Sequence, residues 1–215
     1  FDIKSSFQII PAARYVASRE TLLAIKDRGF EVNVHDLKHD GHLFDSHQEF
    51  QTAASQINEF ATHFGSKGFR AGALYRNQEW FDEFQFSYDM SVPNVGHLDP
   101  QSGGCCTVMP YFVGDILELP VTTIQDYSLF NVLRTYSQDL WTEQIDQIMQ
   151  QHGLISFIVH PDYLNTPEAR AAYTTLLDKL STLRAEAALW IALPGEVDDW
   201  WRQRSQMTLV PDKEE

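Results

Sequence analysis

The spacing of apolar residues changes period along the chain, and each change predicts an element. Ser6 to Ile10 is short and apolar, a strand candidate. Ser18 to Arg28 carries Leu22, Leu23 and Ile25 on one side, with Ser18 as N-cap and Gly29 as stop, so it reads as a helix. Phe30 to Val34 alternates and is β-branched, a second strand. Ser46 to Phe64 repeats Phe50, Ala53, Ala54, Ile57 and Phe60–Ala61 at helical spacing and ends at Gly65. Lys67 to Arg70 then predicts a strand, Asn77 to Phe84 a short helix, and Gln85 to Ser91 a strand. Val92 to Pro110 is rich in Gly and Pro and predicts a long loop, the kind that carries function more often than not.

The second half repeats the alternation. Ile116 to Thr122 predicts a strand, and Ser137 to Gln151 a helix with Leu140, Trp141, Ile145, Ile148 and Met149 inward and Gly153 as stop. Leu154 to Val159 predicts a buried strand. Thr166 to Glu186 is the clearest helix, with Thr166 as N-cap and Pro167 at its first position. Leu189 to Leu193 predicts a strand and Glu196 to Arg204 a last amphipathic helix. Strands alternating with helices predict an α/β fold with a mainly parallel sheet, open or closed into a barrel. Six or seven strands suit a barrel short of a full set of eight.

Composition narrows the partners. The 215 residues hold 30 acidic and 16 basic side chains, for a net charge of −14. Phosphate-tracking surfaces need Lys and Arg, so nucleic acid is disfavoured, as are anionic membrane surfaces. The longest apolar run, Leu154 to Val159, is too short to span a bilayer. Cys105 and Cys106 are adjacent, which excludes a disulfide framework. No basic neighbour or helix start is evident to activate either thiol, and loop or buried thiols are the preferred reading. No signal peptide is visible, and the opening Phe1 to Ile10 reads as a strand in mid-fold, so the start reads as a cut.

In α/β sheets and barrels, chemistry gathers at the carboxyl ends of strands. Four predicted strands end there on an ionisable residue: His35, Arg70, Asp89 and His160. His35 and His39 are four apart, so a helical turn or tight loop could aim both imidazoles at one divalent metal. Surface histidines in a polar segment are the competing reading; Asp36, Asp40 and His42 are ligands, supports or neither. His160 is either a satisfied strand-end histidine or a general acid or base. Arg70 either pairs with a surface carboxylate or orients a catalytic one, for which its planar fork is suited. Asp89 is that partner or a turn cap. Trp80, Tyr75, Tyr88, Tyr111 and Tyr127 pack in the core or line a sugar site.

The order of strand–His-x-x-x-His, Gly68-Phe69-Arg70, Tyr88-Asp89-Met90-Ser91 and Phe157-Ile158-Val159-His160-Pro161 resembles the polysaccharide deacetylases of carbohydrate esterase family 4, the NodB-homology domain. The resemblance covers roughly Phe1 to Leu193. It implies a distorted (β/α) barrel that removes acetyl groups from N-acetylated saccharides with a divalent metal, most often Zn²⁺. It implies His35 and His39 as metal ligands, Arg70 as the arginine that orients the catalytic base, Asp89 as the aspartate of the fourth motif, and His160 as general acid. Ile158 would line the acetyl pocket, and Tyr75 would bind substrate. Ile3 to Phe7 resembles the family's second strand. The first strand and helix, with an aspartate base and a metal-binding aspartate, are not found in the sequence.

The run Ala71 to Tyr75 lacks the family's prolines, which leaves its oxyanion-binding role open, and the tryptophan expected near Asp89 is absent. Residues 1–205 are expected to form the catalytic domain and 206–215 a tail. If the chain as given holds the whole domain, an open-sided barrel with weak or no metal affinity and no catalysis is expected. Three readings follow: a deacetylase of acetylated oligo- or polysaccharides, an inactive barrel that binds glycan or a partner, and a metal-dependent hydrolase of a non-sugar amide.

Overall fold

A computed structural model describes residues 1–12, 15, 17–94 and 107–210. Six strands form one sheet in the order β1-β2-β3-β4-β6-β5. They are β1 (Ser6–Ile9), β2 (Glu31–His35), β3 (Gly68–Arg70), β4 (Tyr88–Asp89), β5 (Tyr111–Val113) and β6 (Ile116–Glu118). All neighbours run parallel except β5, which returns antiparallel on β6. Among the described residues, five α-helices complete the fold: α1 (Arg19–Asp27), α2 (His47–Phe64), α3 (Asp139–Gln150), α4 (Pro167–Ala185) and α5 (Pro194–Ser205). Among the described residues no helix is long and apolar enough to cross a membrane.

Ser18 and Thr166 cap their helices as predicted, accepting from the backbone amides of Thr21 and Ala169. Ser46 caps α2 as well: it accepts from Glu49 N while its hydroxyl donates to that residue's carboxylate. Gly65 closes α2 at φ 61°, a left-handed conformation that glycine adopts without Cβ strain. Ser137 acts one residue early: its hydroxyl accepts from Asp139, and the helix begins there.

The core is layered. Val32, Val34, Phe69 and Ile116 from the sheet meet Leu22, Phe50, Ala54, Ile57, Phe81 and Phe84 from the first helices and loops. Around β4 and β6, Tyr88, Met90, Leu117 and Leu119 pack with Leu154 and with Val197 and Trp201 of α5. A third cluster joins Trp141 and Ile145 of α3 to Ala169, Ala172 and Leu176 of α4.

Several predicted strands shrink or dissolve. Gln85 to Ser91 pairs only at Tyr88–Asp89, and Ile116 to Thr122 only at Ile116–Glu118. Leu154 to Val159 makes no ladder. Hydroxyls stand between it and the backbone of residues 120–123: Thr122 Oγ1 donates to Leu154 O (2.8 Å) and accepts from Ser156 N (2.9 Å). Ser156 Oγ donates to Pro120 O (2.6 Å), accepts from Thr122 N (3.1 Å), and Thr123 Oγ1 donates to Ser156 O (2.7 Å). The backbone groups are thus satisfied without direct strand pairing. Leu189 to Leu193 also forms no strand; its Trp190 is exposed. β5 and a π-helical turn at Ser128–Val132 were not expected from the pattern. Gly96, Gly103, Gly104 and the cysteine pair lie outside the described residues.

A polar network seals the amino-end side of the sheet. Asn33 Nδ2 donates to Ser6 Oγ (2.5 Å) and to Tyr88 Oη (2.9 Å), while its Oδ1 accepts from Gly68 N (3.0 Å). Tyr88 Oη donates to Glu31 (2.8 Å), whose other oxygen accepts from Gly195 N of α5 (2.9 Å). The Tyr88 ring is held so closely that a Cβ at Gly68 would lie 2.1 Å from it. Gly68→Ala is therefore expected to destabilise the fold by about 1–3 kcal/mol through overpacking. Urea unfolding checks this; an unchanged midpoint would show that the ring is not held there.

Candidate active site

The parallel register pairs His35 with Arg70. Both are last in their strands, so their side chains share one face at the carboxyl end of the sheet. The Arg70 carbonyl accepts from Asp36 N (2.9 Å) and lies 3.0 Å from His35 Nδ1. A carbonyl can only accept, so Nδ1 carries the proton and Nε2 keeps a free lone pair. Burial, with the nearby charges of Arg70, His39 and His160, pushes His35 down to about 3, against the opposing bond to Arg70. The imidazole is neutral at physiological pH.

The chain then bends sharply. Asp36 at φ 59° and His39 at φ 57° occupy the left-handed region, and Gly41 follows at φ 82°. The bend is a loop, not a helical turn, and it brings the His39 ring edge-on to His35 with centroids 4.6 Å apart. Asp36 is buried; its Oδ1 accepts from Leu37 N (2.6 Å) and its Oδ2 faces Gly72 without a well-formed hydrogen bond. Burial raises its carboxyl above the usual range. Asp40 accepts from His42 N, and the exposed His42 pairs with Asp45, so neither joins the imidazole pair.

Arg70 donates through Nε to Met90 O (3.3 Å). It has no ion pair within 4.0 Å among the described residues; Asp89 and Glu118 act on it only at longer range. Burial lowers it to about 10, which leaves it cationic at neutral pH. Asp89 pairs in register with Phe69 and Glu118, one position back from Arg70. It therefore projects on Phe69's side of the sheet, opposite His35 and Arg70. There it accepts from the Ser91 hydroxyl (2.7 Å) and Ser91 N (3.1 Å). Its turn-capping reading is the one this geometry matches.

His160 stands at the end of the hydroxyl-bridged segment. Its Nδ1 lies 2.7 Å from Asp126 Oδ1, and its backbone N donates to Asp126 Oδ2 (2.6 Å). Asp126 also accepts from Tyr127 N (2.8 Å) and is fully buried, whereas the His160 side chain is 39% exposed. A carboxylate that orients Nδ1 leaves Nε2 directed outward.

The remaining candidates separate. Ile158 is buried against Leu74 and Val121. Tyr75 is half exposed and lines a cleft of about 280 Å³ with Gly41, Phe44, Asp45, Leu74 and Arg76. Trp80 packs in the core, Tyr88 belongs to the amino-end network, and Tyr127 is exposed with its ring 5.7 Å from Tyr163, itself 5.0 Å from His160. In the Ala71 to Tyr75 run, the amides of Ala71, Leu74 and Tyr75 are engaged by Ser91 Oγ, Ala71 O and Gly72 O. They offer no free oxyanion donor.

The His35–His39 pair fits two imidazole ligands of a divalent cation, with the Arg70 carbonyl fixing the His35 tautomer. Among the described residues no third His, Cys, Asp or Glu completes a metal cluster with them. Asp126 and Glu118 escaped the sequence reading. Asp126 follows the predicted strand Ile116 to Thr122 by four residues, so the strand-end rule, applied a little further along, reaches it. Glu118 sits within the strand and carries no such signal.

No family sequence model matches the chain, and no curated protein matches it by sequence. Its structure is similar to that of a "putative polysaccharide deacetylase" from Mycobacterium smegmatis, with a TM-score of 0.73 and 18% identity over 99% of this chain and 77% of the other. It is also similar to PuuE allantoinase, with a TM-score of 0.69 and 14% identity over 96% of this chain and 70% of the other. The chain has the NodB-type α/β fold of these proteins.

Asp126→Ala removes three hydrogen bonds from a buried carboxylate and frees the His160 ring. It is expected to cost about 2–4 kcal/mol of stability, read by denaturant unfolding, and to make the His160 ring mobile by NMR. A His160 ring that keeps its single orientation would show that Asp126 does not hold it.

Proposed function

We propose that the protein is a metal-dependent amide hydrolase that removes acetyl groups from N-acetylated saccharides. The observation that supports this best is the His35–His39 pair: two imidazoles in edge contact, one of them neutral, with its Nε2 lone pair free. Bound by these two rings, a divalent cation, most simply Zn²⁺, supplies Lewis acidity for an acetyl carbonyl and for water.

The chain's own groups do the rest. His160, braced by Asp126, holds a proton at Nε2 for the departing sugar amine. The Arg70 guanidinium is a fixed positive charge at the same rim and orients a carboxylate or developing negative charge. Asp89 supports this arrangement from behind the sheet, through the turn that follows it. Ile158 closes the apolar floor with Leu74 and Val121, a surface suited to an acetyl methyl. Tyr75, half exposed on the neighbouring cleft, offers a ring face to a pyranose. The net charge of −14 suits a neutral or cationic glycan over a polyanion. In this reading residues 1–205 are the catalytic unit and 206–215 a tail.

A second reading keeps the reaction and changes the substrate. The similarity to PuuE allantoinase, as well as to the deacetylase, is in keeping with a non-sugar amide. The absence of a third metal-binding side chain among the described residues favours, instead, a barrel that binds glycan without turnover.

Acetate release from N-acetylated chito-oligosaccharides by the full-length protein is expected to require zinc. It should fall to background in His35→Ala and by about 10²–10⁴-fold in His160→Ala. Metal content, measured on the same samples, should drop in His35→Ala alone. Unchanged activity in His35→Ala overturns the proposal. Saccharide binding without turnover selects the binding module, and turnover of cyclic amides alone selects the non-sugar hydrolase.

A further inference from the structure

Behind the sheet, opposite the imidazole pair, β4 and β6 bring two carboxyls together. Asp89 and Glu118 are register partners, and both are buried, at 1% and 0% exposure. The register sets their side chains next to one another on the same face of the sheet. Glu118 Oε1 accepts from Val92 N (2.9 Å), but its Oε2 is buried with no donor against it. Two ionised carboxylates cannot share such a dry place; one proton between them removes the repulsion and supplies the missing donor.

The surroundings fit a pair that holds one negative charge. Arg70 on β3 acts on both carboxyls at longer range, and Arg76, beyond β3, acts on Glu118. Tyr111 on β5 is the register partner of Glu118 on the other side, and Ser91 donates to Asp89. Among the described residues no ion pair within 4.0 Å reaches either carboxyl. Burial raises both groups.

The bonds this pair makes all converge on one short segment. Asp89 takes both polar hydrogens of Ser91, Glu118 takes the Val92 amide, and Ser91 Oγ accepts from Ala71 N, beside Arg70. Between them lies Met90, whose carbonyl receives Arg70 Nε. We propose that Asp89 and Glu118 share a single proton and act as one clamp on residues 90–92, which makes Glu118 a positioning residue for Arg70. The inference rests on packing and protonation, not on the acetyl-hydrolase reading, and stands or falls without any turnover.

The sign of the pH effect follows from the extra proton. The unfolded chain releases both protons above about pH 4.5, whereas the folded pair keeps one. Stability therefore falls as pH rises, until the folded pair gives up its proton. Over that window the unfolding constant of the wild type is expected to rise about tenfold per pH unit relative to Glu118→Gln. Glutamine can accept from Val92 and donate to Asp89, so this variant should keep the fold and lose the slope. Glu118→Ala should lose both the clamp and the sharp Arg70 Nε–H signal that Glu118→Gln retains.

Urea unfolding from pH 4.5 to 8 and NMR of the Arg70 Nε–H read these outcomes. Carboxyl ¹³C NMR of the wild type decides the point even if neither variant folds. At pH 7, Asp89 and Glu118 are expected to report one proton between them and to titrate together. Two fully ionised carboxylates at pH 7, or parallel pH profiles for wild type and Glu118→Gln, overturn the proposal.

Discussion

The site depends on the register that sets His35 opposite Arg70. One backbone carbonyl, Arg70 O, receives Asp36 N and faces His35 Nδ1. That single acceptor fixes the tautomer of the imidazole, the direction of its free nitrogen and the start of the left-handed bend that returns His39. A slip of one residue would set Phe69 opposite His35 and turn one of them to the wrong face. Slippage is opposed by what lies on each face. Val34 and Phe69 are buried under the helices, and Asn33 ties β1, β3 and β4 together at the amino end.

Where the ladder ends, side chains take over its work. Strands β3, β4 and β6 are only two or three residues long, which leaves much backbone outside regular pairing. Ser91, Glu118 and Asp89 satisfy the chain just past β3 and β4; Thr122, Thr123 and Ser156 do so past β6. At the amino end, Arg202 of α5 reaches Ser87 O and Asp115 O and pairs with Asp198, which accepts from the Ser87 hydroxyl. Short strands with hydroxyl and carboxyl braces allow a wall to curve further than uninterrupted pairing does. Two of these braces stand next to rim residues: Ser91 accepts from Ala71, beside Arg70, and Ser156 lies in the segment that leads to His160.

The rim divides its charges by solvent access. Carboxyls that face the helix side are dry and pushed upward, while the His160 side chain stays partly exposed on a buried Asp126. Arg70 keeps its charge because guanidinium ionises so far above neutral pH that burial cannot strip it. A lysine there would be far easier to neutralise. A fixed cation at Arg70 and a neutral imidazole at His35 are thus two different outcomes of desolvation at one edge of one sheet.

Much of this was legible along the chain. Helix caps at Ser18 and Thr166, the stop at Gly65 and the strand-end residues His35 and Arg70 follow from local chemistry, because caps and alternation act over a few neighbouring residues. The resemblance to NodB-type deacetylases pointed to the fold that the structure shows. Which side of the sheet Asp89 takes, the loss of the Leu154 to Val159 ladder, and the roles of Asp126 and Glu118 were not legible. Each depends on partners tens of residues away: Asp89 on Glu118, Ser156 on Thr122, His160 on Asp126. By itself the sequence determined where elements begin and end and which ionisable side chains arrive at the carboxyl edge. Only the tertiary structure decided which of them face one another and which titrate, because register and desolvation are properties of the packed sheet.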